Sequence, residues 1–158
     1  MSNDNRLDLT AFSERIAPLR THVADNVVGQ SLPVHLLLTA LMADGHVLLE
    51  GVPGVAKTLL AKTLARLVRA DFRRVQFTPD LMPTDVLGTS IFNLGTQQFD
   101  FHPGPVFTQV LLVDEINRAP AKTQAALFEV MEERQVTLDG NTRKLDPCYL
   151  VIATQNPV

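Results

Sequence analysis

"EGVPGVAKTLLAK", residues 50–62, follows the short apolar run "HVLL" and opens a helical pattern. A strand that ends in a glycine-bearing loop, followed by a helix starting on Lys57-Thr58, converges backbone N–H donors and the positive end of a helix dipole on one anion. The general pattern G-x-x-x-x-G-K-[ST] would have the loop of Gly51, Val52, Pro53, Gly54, Val55 and Ala56 cradle phosphate groups. Lys57 would then reach the outer phosphates and the Thr58 hydroxyl would sit on Mg²⁺. Gly51 and Gly54 let the chain turn where a Cβ would hinder it, and Pro53 stiffens the loop. Ala56 stands where the pattern has its last glycine. At the negative φ of a helix entry its methyl costs no backbone strain and its N–H still points inward, so a negative φ is expected there.

Outward from this loop, strand and helix signals alternate. "HVLLEG" (46–51) reads as a buried parallel strand, and "FRRVQF" (72–77), "QVLLVDE" (109–115) and "CYLVIATQ" (148–155) as three more. The last two are dominated by branched apolar residues and should lie centrally. Helical stripes run through Phe12, Ile16, Leu19 and Val23, where Pro18 should bend or divide the helix. A second helix, capped by Ser31 and closed by Gly45, puts Val34, Leu37, Leu38, Leu41 and Met42 on one face. In a third, Leu60, Leu64, Leu67 and Val68 oppose Lys62, Arg66 and Arg69. In "PAKTQAALFEVMEERQV" Leu127, Val130 and Met131, with Phe128, turn toward a core and leave Glu129, Glu132 and Glu133 outside. Strands separated by helices predict an α/β fold with a parallel sheet covered on both faces. Two segments break the alternation: "TSIFNLGTQQFDFHPGP" reads as a hairpin beside a short helix, and "RQVTLDGNTRKLDP" as a hairpin turning on Asp139-Gly140. Each hairpin could cover apolar surface or contact a partner.

A second chemical feature lies at the end of "VLLVDEIN". Asp114 and Glu115 fall at the carboxyl edge of the sheet, where such folds bind ligands. Asp114 suits holding Mg²⁺ through water, and Glu115 suits polarising the water that attacks a γ-phosphate. "IATQNP" ends the last strand on Thr154, Gln155 and Asn156. An amide there could orient the attacking water, although Asn156 alone also reads as a turn residue. The guanine-reading element Asn-Lys-x-Asp is missing, so ATP is the expected nucleotide.

Composition narrows the rest. The 158 residues, 46% of them hydrophobic, suit one compact domain or a piece of a larger one. A net charge of −3 supplies no basic field, so nucleic acid is not the expected ligand. The N-terminus lacks a basic segment followed by an apolar run, and no apolar stretch is long enough to cross a bilayer, so a cytoplasmic protein without a membrane span is expected. Cys148, the sole cysteine, lies in an apolar run and is expected to be buried. His22, His35, His46 and His102 lack metal-ligand spacing and receive no chemical role.

Taken together, "VVGQ", "GVPGVAKT", "RVQFTPDLMPTDVLGTSIF", "GPVFTQVLLVDEINRAPAKTQAALFEVMEERQVTLDG" and "ATQNPV" resemble the MoxR family of AAA+ ATPases from about Val27 onward. In that family alanine also precedes the lysine. The resemblance implies a P-loop three-layer α/β sandwich with two inserted hairpins, the helix-2 and pre-sensor-1 inserts. It implies a partial AAA+ core over 27–158, preceded by the helical segment over 1–26 that the stripe from Phe12 to Val23 predicts. On this chain Val28 and Gly29 would border the adenine, Gly51 to Thr58 would form Walker A, Asp114 and Glu115 Walker B, and Asn156 sensor 1. The implied activity is Mg²⁺-dependent ATP hydrolysis by a ring, usually hexameric, that acts as a chaperone-like remodeller, often with a von Willebrand factor A domain partner. The family's arginine finger, fifth strand, helical lid and sensor 2 arginine would follow Val158. The 158 residues alone are therefore expected to bind ATP weakly and hydrolyse it barely, and the family's sheet order leaves "HVLLEG" as an uncovered edge. Two other classes stay open: a nucleotide-binding interaction module without turnover, and a related helix-2-insert protein of the magnesium-chelatase or DNA-acting type.

Overall fold

A computed structural model of the chain describes residues 31–51 and 57–155, together with Glu14, Ala17, Pro18 and Thr21. Those four positions are helical, and Thr21 Oγ1 donates to the Ala17 carbonyl at 3.2 Å, in keeping with the first predicted helix. Phe12, Ile16, Leu19 and Val23, and the domain boundary after residue 26, lie outside the described residues. The elements are α1 (Ser31–Met42), β1 (Val47–Glu50), α2 (Lys57–Leu67), β2 (Phe72–Gln76), α3 (Pro83–Leu87), β3 (Gly88–Asn93) and β4 (Gln98–Pro103). They continue with β5 (Val110–Asp114), a 3-10 turn (Ile116–Arg118), α4 (Ala121–Glu133), β6 (Gln135–Leu138), β7 (Asn141–Lys144) and β8 (Leu150–Gln155).

Four strands form one parallel sheet in the order β1-β8-β5-β2. The branched runs of β5 and β8 take the centre and are buried nearly end to end, as their composition requires. Val110, Leu112, Leu150 and Ile152 pack against Leu37 and Leu38 of α1 and Leu60 and Leu64 of α2. Leu111, Val113, Val151 and Ala153 face the other way, onto Leu127 and Val130 of α4 and the loop residues Phe77 and Val106. Each such side chain contributes about 1.5–3 kcal/mol when fully buried. The strands therefore need cover on both faces, and the result is the expected three-layer sandwich.

Several local expectations change. β1 is not a doubly buried strand: it is the sheet edge, with Val47 and Leu49 in the α1/α2 core and Leu48 54% exposed. Among the described residues no strand pairs with its outer side, which matches the uncovered edge implied by the family's sheet order. The reversal after α1 is made by Asp44 at φ 55°, and Gly45 supplies the N–H that bonds the Ala40 carbonyl at 2.9 Å. Met42, in the last turn of α1, is exposed, and the side chains of Ser31 and Val34 lie outside the described residues. Phe128 is exposed because the buried stripe of α4 runs through Leu127, Val130 and Met131, and residue 128 lies about 100° around the helix from Leu127. Cys148 is also exposed. β8 begins only at Leu150, and Cys148 sits in a turn where its N–H bonds Asp146 Oδ1 at 2.8 Å.

Both hairpins form, with different packing. Asp139 (φ 52°) and Gly140 (φ 74°) make a two-residue turn with positive φ at both positions, joining β6 to β7 in the register Leu138↔Asn141. This hairpin buries Val136 and so covers core. The β3–β4 hairpin does not: Ile91, Phe92, Leu94 and Phe99 remain exposed, with Phe92 edge-on to its cross-strand partner Phe99 at 5.2 Å. At its root Gly88 and Gly104 cross so closely that a Cβ on Gly104 would meet the Val86 carbonyl oxygen and the Gly88 nitrogen. The Arg143 guanidinium of β7 lies 3.8 Å from the centre of the Phe101 ring of β4, which ties the two hairpins together. Among the described residues no helix is long and apolar enough to cross a membrane.

Candidate functional site

The alternation of a strand places the acids. In β5, Val110, Leu112 and Asp114 point to the face that carries α2, and so do Leu150, Ile152 and Thr154 of β8. Asp114 thus emerges, 8% exposed, at the carboxyl end of the sheet on the side of the helix that Lys57 begins. Lys57 Nζ donates to the Gly51 carbonyl at 2.8 Å, so the lysine folds back on the end of β1. Thr58, the next helical residue, is half-buried. Val28, Gly29, Val52, Pro53, Gly54, Val55, Ala56 and Asn156 lie outside the described residues, and with them the φ expected for Ala56.

Both acids are held by side chains whose roles the sequence did not reveal. Thr154 Oγ1, buried between β5 and β8, donates to Asp114 Oδ1 at 3.2 Å and accepts the Glu115 N–H at 3.1 Å. Arg74 Nε donates to Asp114 Oδ2 at 2.6 Å. Gln76 Nε2 donates to Glu115 Oε2 at 2.8 Å, and Arg118 reaches the same oxygen at 3.1 Å. Glu115 itself takes a left-handed backbone, φ 56° and ψ 49°. A non-glycine residue there is uncommon and worth about 1–3 kcal/mol of local strain, the kind of conformation that clusters at functional sites. Arg74 and Gln76 sit two apart on β2 and share the face of Phe72, opposite Val75 and Phe77. A period-two reading of "FRRVQF" against "VLLVD" could have paired them with the acids, but the register Gln76↔Asp114 belongs to the sheet and is not written in either segment.

The donor chemistry fits a hard divalent cation. Asp114 offers a carboxylate and Thr58 a hydroxyl, both oxygen donors, and Mg²⁺ usually takes one or two carboxylates while drawing its other ligands from water and phosphate. Among the described residues no three His, Cys, Asp or Glu side chains gather as a protein-only cage. His46 serves structure: its Nδ1 accepts the Val151 N–H at 3.0 Å and its Nε2 lies 3.4 Å from the Met131 carbonyl, joining β1, β8 and α4. Burial lowers its pKa below the ordinary value.

Residues 46–158 match the family described as "ATPase family associated with various cellular activities (AAA)", a span that includes the turn, both acids and β8. The chain is 56% identical to Chaperone MoxR1 of Mycobacterium tuberculosis over 132 residues, which is 84% of this chain and 35% of that protein. The chain belongs to the MoxR family of AAA+ ATPases. This MoxR-type chain is also 50% identical to YeaC of Bacillus subtilis over 152 residues, covering 94% of the one and 48% of the other. In three dimensions it resembles the crystal structure of a Cytophaga hutchinsonii protein, with a TM-score of 0.78 and 46% identity, over 97% of this chain and 48% of that one. The chain therefore spans between about a third and a half of the length of these relatives. The α/β architecture with its parallel sheet is the one expected of the family.

Proposed function

We propose that this MoxR-type protein binds ATP at the turn between β1 and α2 and hydrolyses it with Mg²⁺, using turnover to remodel partner proteins. One observation carries the reading: Asp114, the last residue of β5, stands at the carboxyl edge of the sheet on the face of the helix whose first residue, Lys57, reaches back to Gly51, and Glu115 follows it directly. In this reading the Gly51–Ala56 backbone and the α2 N-terminus attract the phosphates, and Lys57 neutralises the β and γ groups. Bound Mg²⁺ would neutralise charge on the transferred phosphoryl group, with Asp114 and Thr58 holding it. Glu115 accepts a proton from the attacking water, and Asn156 orients that water. Val28 and Gly29 border the adenine.

The exposed Ile91, Phe92, Leu94 and Phe99 support a partner-contacting role for the first hairpin, because a hairpin serving only as cover would have buried them. A homo-oligomeric, hexameric ring and a von Willebrand factor A domain partner are the family-based form of the proposal. The test is Glu115→Gln in the complete protein. ATP retention on filters should persist while phosphate release falls by at least about 100-fold, the scale of a lost general base. Phosphate release within a factor of two of wild type would remove Glu115 from this role. Loss of partner remodelling with retained ATP would separate the motor from a module that only needs nucleotide to order its hairpins.

A further inference from the structure

Asp114 is buried, and a buried carboxylate needs a compensating charge. Its two oxygens are used differently. Oδ1 faces inward to the Thr154 hydroxyl, a neutral donor fixed between two central strands. Oδ2 takes the Arg74 guanidinium at 2.6 Å, and the arginine side chain is 50% exposed against 11% for the aspartate. Arg74 projects from β2, an edge strand of the sheet, and touches the carboxylate through Nε alone. A planar guanidinium that grips a carboxylate for strength commonly uses two parallel donors. A single-donor contact from a half-exposed side chain can open by rotation into solvent without leaving a cavity.

We propose that Arg74 is a stand-in cation for the metal at Asp114. It neutralises the carboxylate while no metal is bound and yields Oδ2 when Mg²⁺ arrives with ATP, so that it lowers the affinity of the site for the divalent ion. The inference rests on the reading of Asp114 as the metal-holding acid. Two cations drawn to one carboxylate oxygen repel each other, and the guanidinium must either give up its hydrogen bond or remain beside a doubly charged ion. Both routes oppose metal loading. Arg74 is thus a positioning residue that sets when Asp114 is available.

The experiment measures Mn²⁺, a paramagnetic substitute for Mg²⁺, by electron paramagnetic resonance in the full chain saturated with a non-hydrolysable ATP analogue. Arg74→Gln removes the charge and should tighten Mn²⁺ binding about fivefold to tenfold, the scale of a half-exposed ion pair plus a relieved repulsion. Arg74→Lys keeps the charge but not the Nε donor and should tighten it about threefold. Affinity for the analogue without metal should change less than twofold in both. Unchanged or weaker Mn²⁺ binding in Arg74→Gln overturns the proposal, and if that variant fails to fold, Arg74→Lys decides by the same criterion. Asp114→Asn separates the levels: Mn²⁺ binding that survives this change shows that Asp114 is not the metal-holding acid, and the stand-in role of Arg74 falls with it.

Discussion

Replacing Thr154 by valine keeps the shape of the side chain and deletes the hydroxyl that joins the two acids. Thr154 is 4% exposed, so water does not readily substitute for what is lost. Two hydrogen bonds disappear: the 3.2 Å bond to the Asp114 carboxylate and the 3.1 Å bond from the Glu115 N–H. A bond to a charged group contributes about 1.5–3 kcal/mol and a neutral one about 1 kcal/mol. The buried methyl of valine returns about 0.8 kcal/mol. Thr154→Val should therefore destabilise the fold by about 2–3 kcal/mol, a large share of the ~8–24 kcal/mol expected for a domain of this size. Urea unfolding followed by circular dichroism reads this as a lower midpoint with an unchanged slope. Thr154→Ser keeps the hydroxyl and should lose only about 1 kcal/mol, and a cycle with Asp114→Asn should return a coupling energy of at least about 1 kcal/mol. A Thr154→Val protein within about 0.5 kcal/mol of wild type, or a serine variant as unstable as the valine one, would refute the account of Thr154 as the joint between the acids.

Two further outcomes test other parts of the structure. Gly104→Ala should cost at least about 3 kcal/mol, because its Cβ meets backbone atoms of Val86, Leu87 and Gly88 that no side-chain rotation can clear; a thermal midpoint equal to wild type would contradict that crossing. His46 predicts a pH dependence. Its folded-state pKa lies below the unfolded 6.5 because the half-buried ring is partly desolvated, so the unfolded chain binds the proton more readily. The His46 contribution is then full above pH 6.5 and is lost as pH falls through the lower folded value. Between about pH 7.5 and about pH 5.5 the urea midpoint should fall less in His46→Gln than in wild type, and equal slopes in the two proteins would exclude the effect.

The position of the acids of "VLLVDE" was legible because it is local: carboxylates that close an apolar run stand at the end of a strand. The branched runs of β5 and β8 announced a doubly covered central position for the same reason, since burial on both faces leaves no room for polar alternation. Asp139-Gly140 announced its turn through backbone conformations that few other residues tolerate. Tertiary structure decided what depends on neighbours distant in sequence. "HVLLEG" has the composition of a central strand, and its edge position with Leu48 in solvent follows from the sheet order, which the family resemblance implied and its own residues do not carry. Cys148 reads as strand, yet the Asp146 turn holds it outside. Arg74, Gln76 and Thr154 looked like ordinary strand residues until parallel pairing set them against Asp114 and Glu115, 39 or 40 residues away. Local propensity and hydrophobic periodicity specify which face a residue takes, but which partner it meets on that face follows from strand order and register, which arise only when the whole sheet assembles.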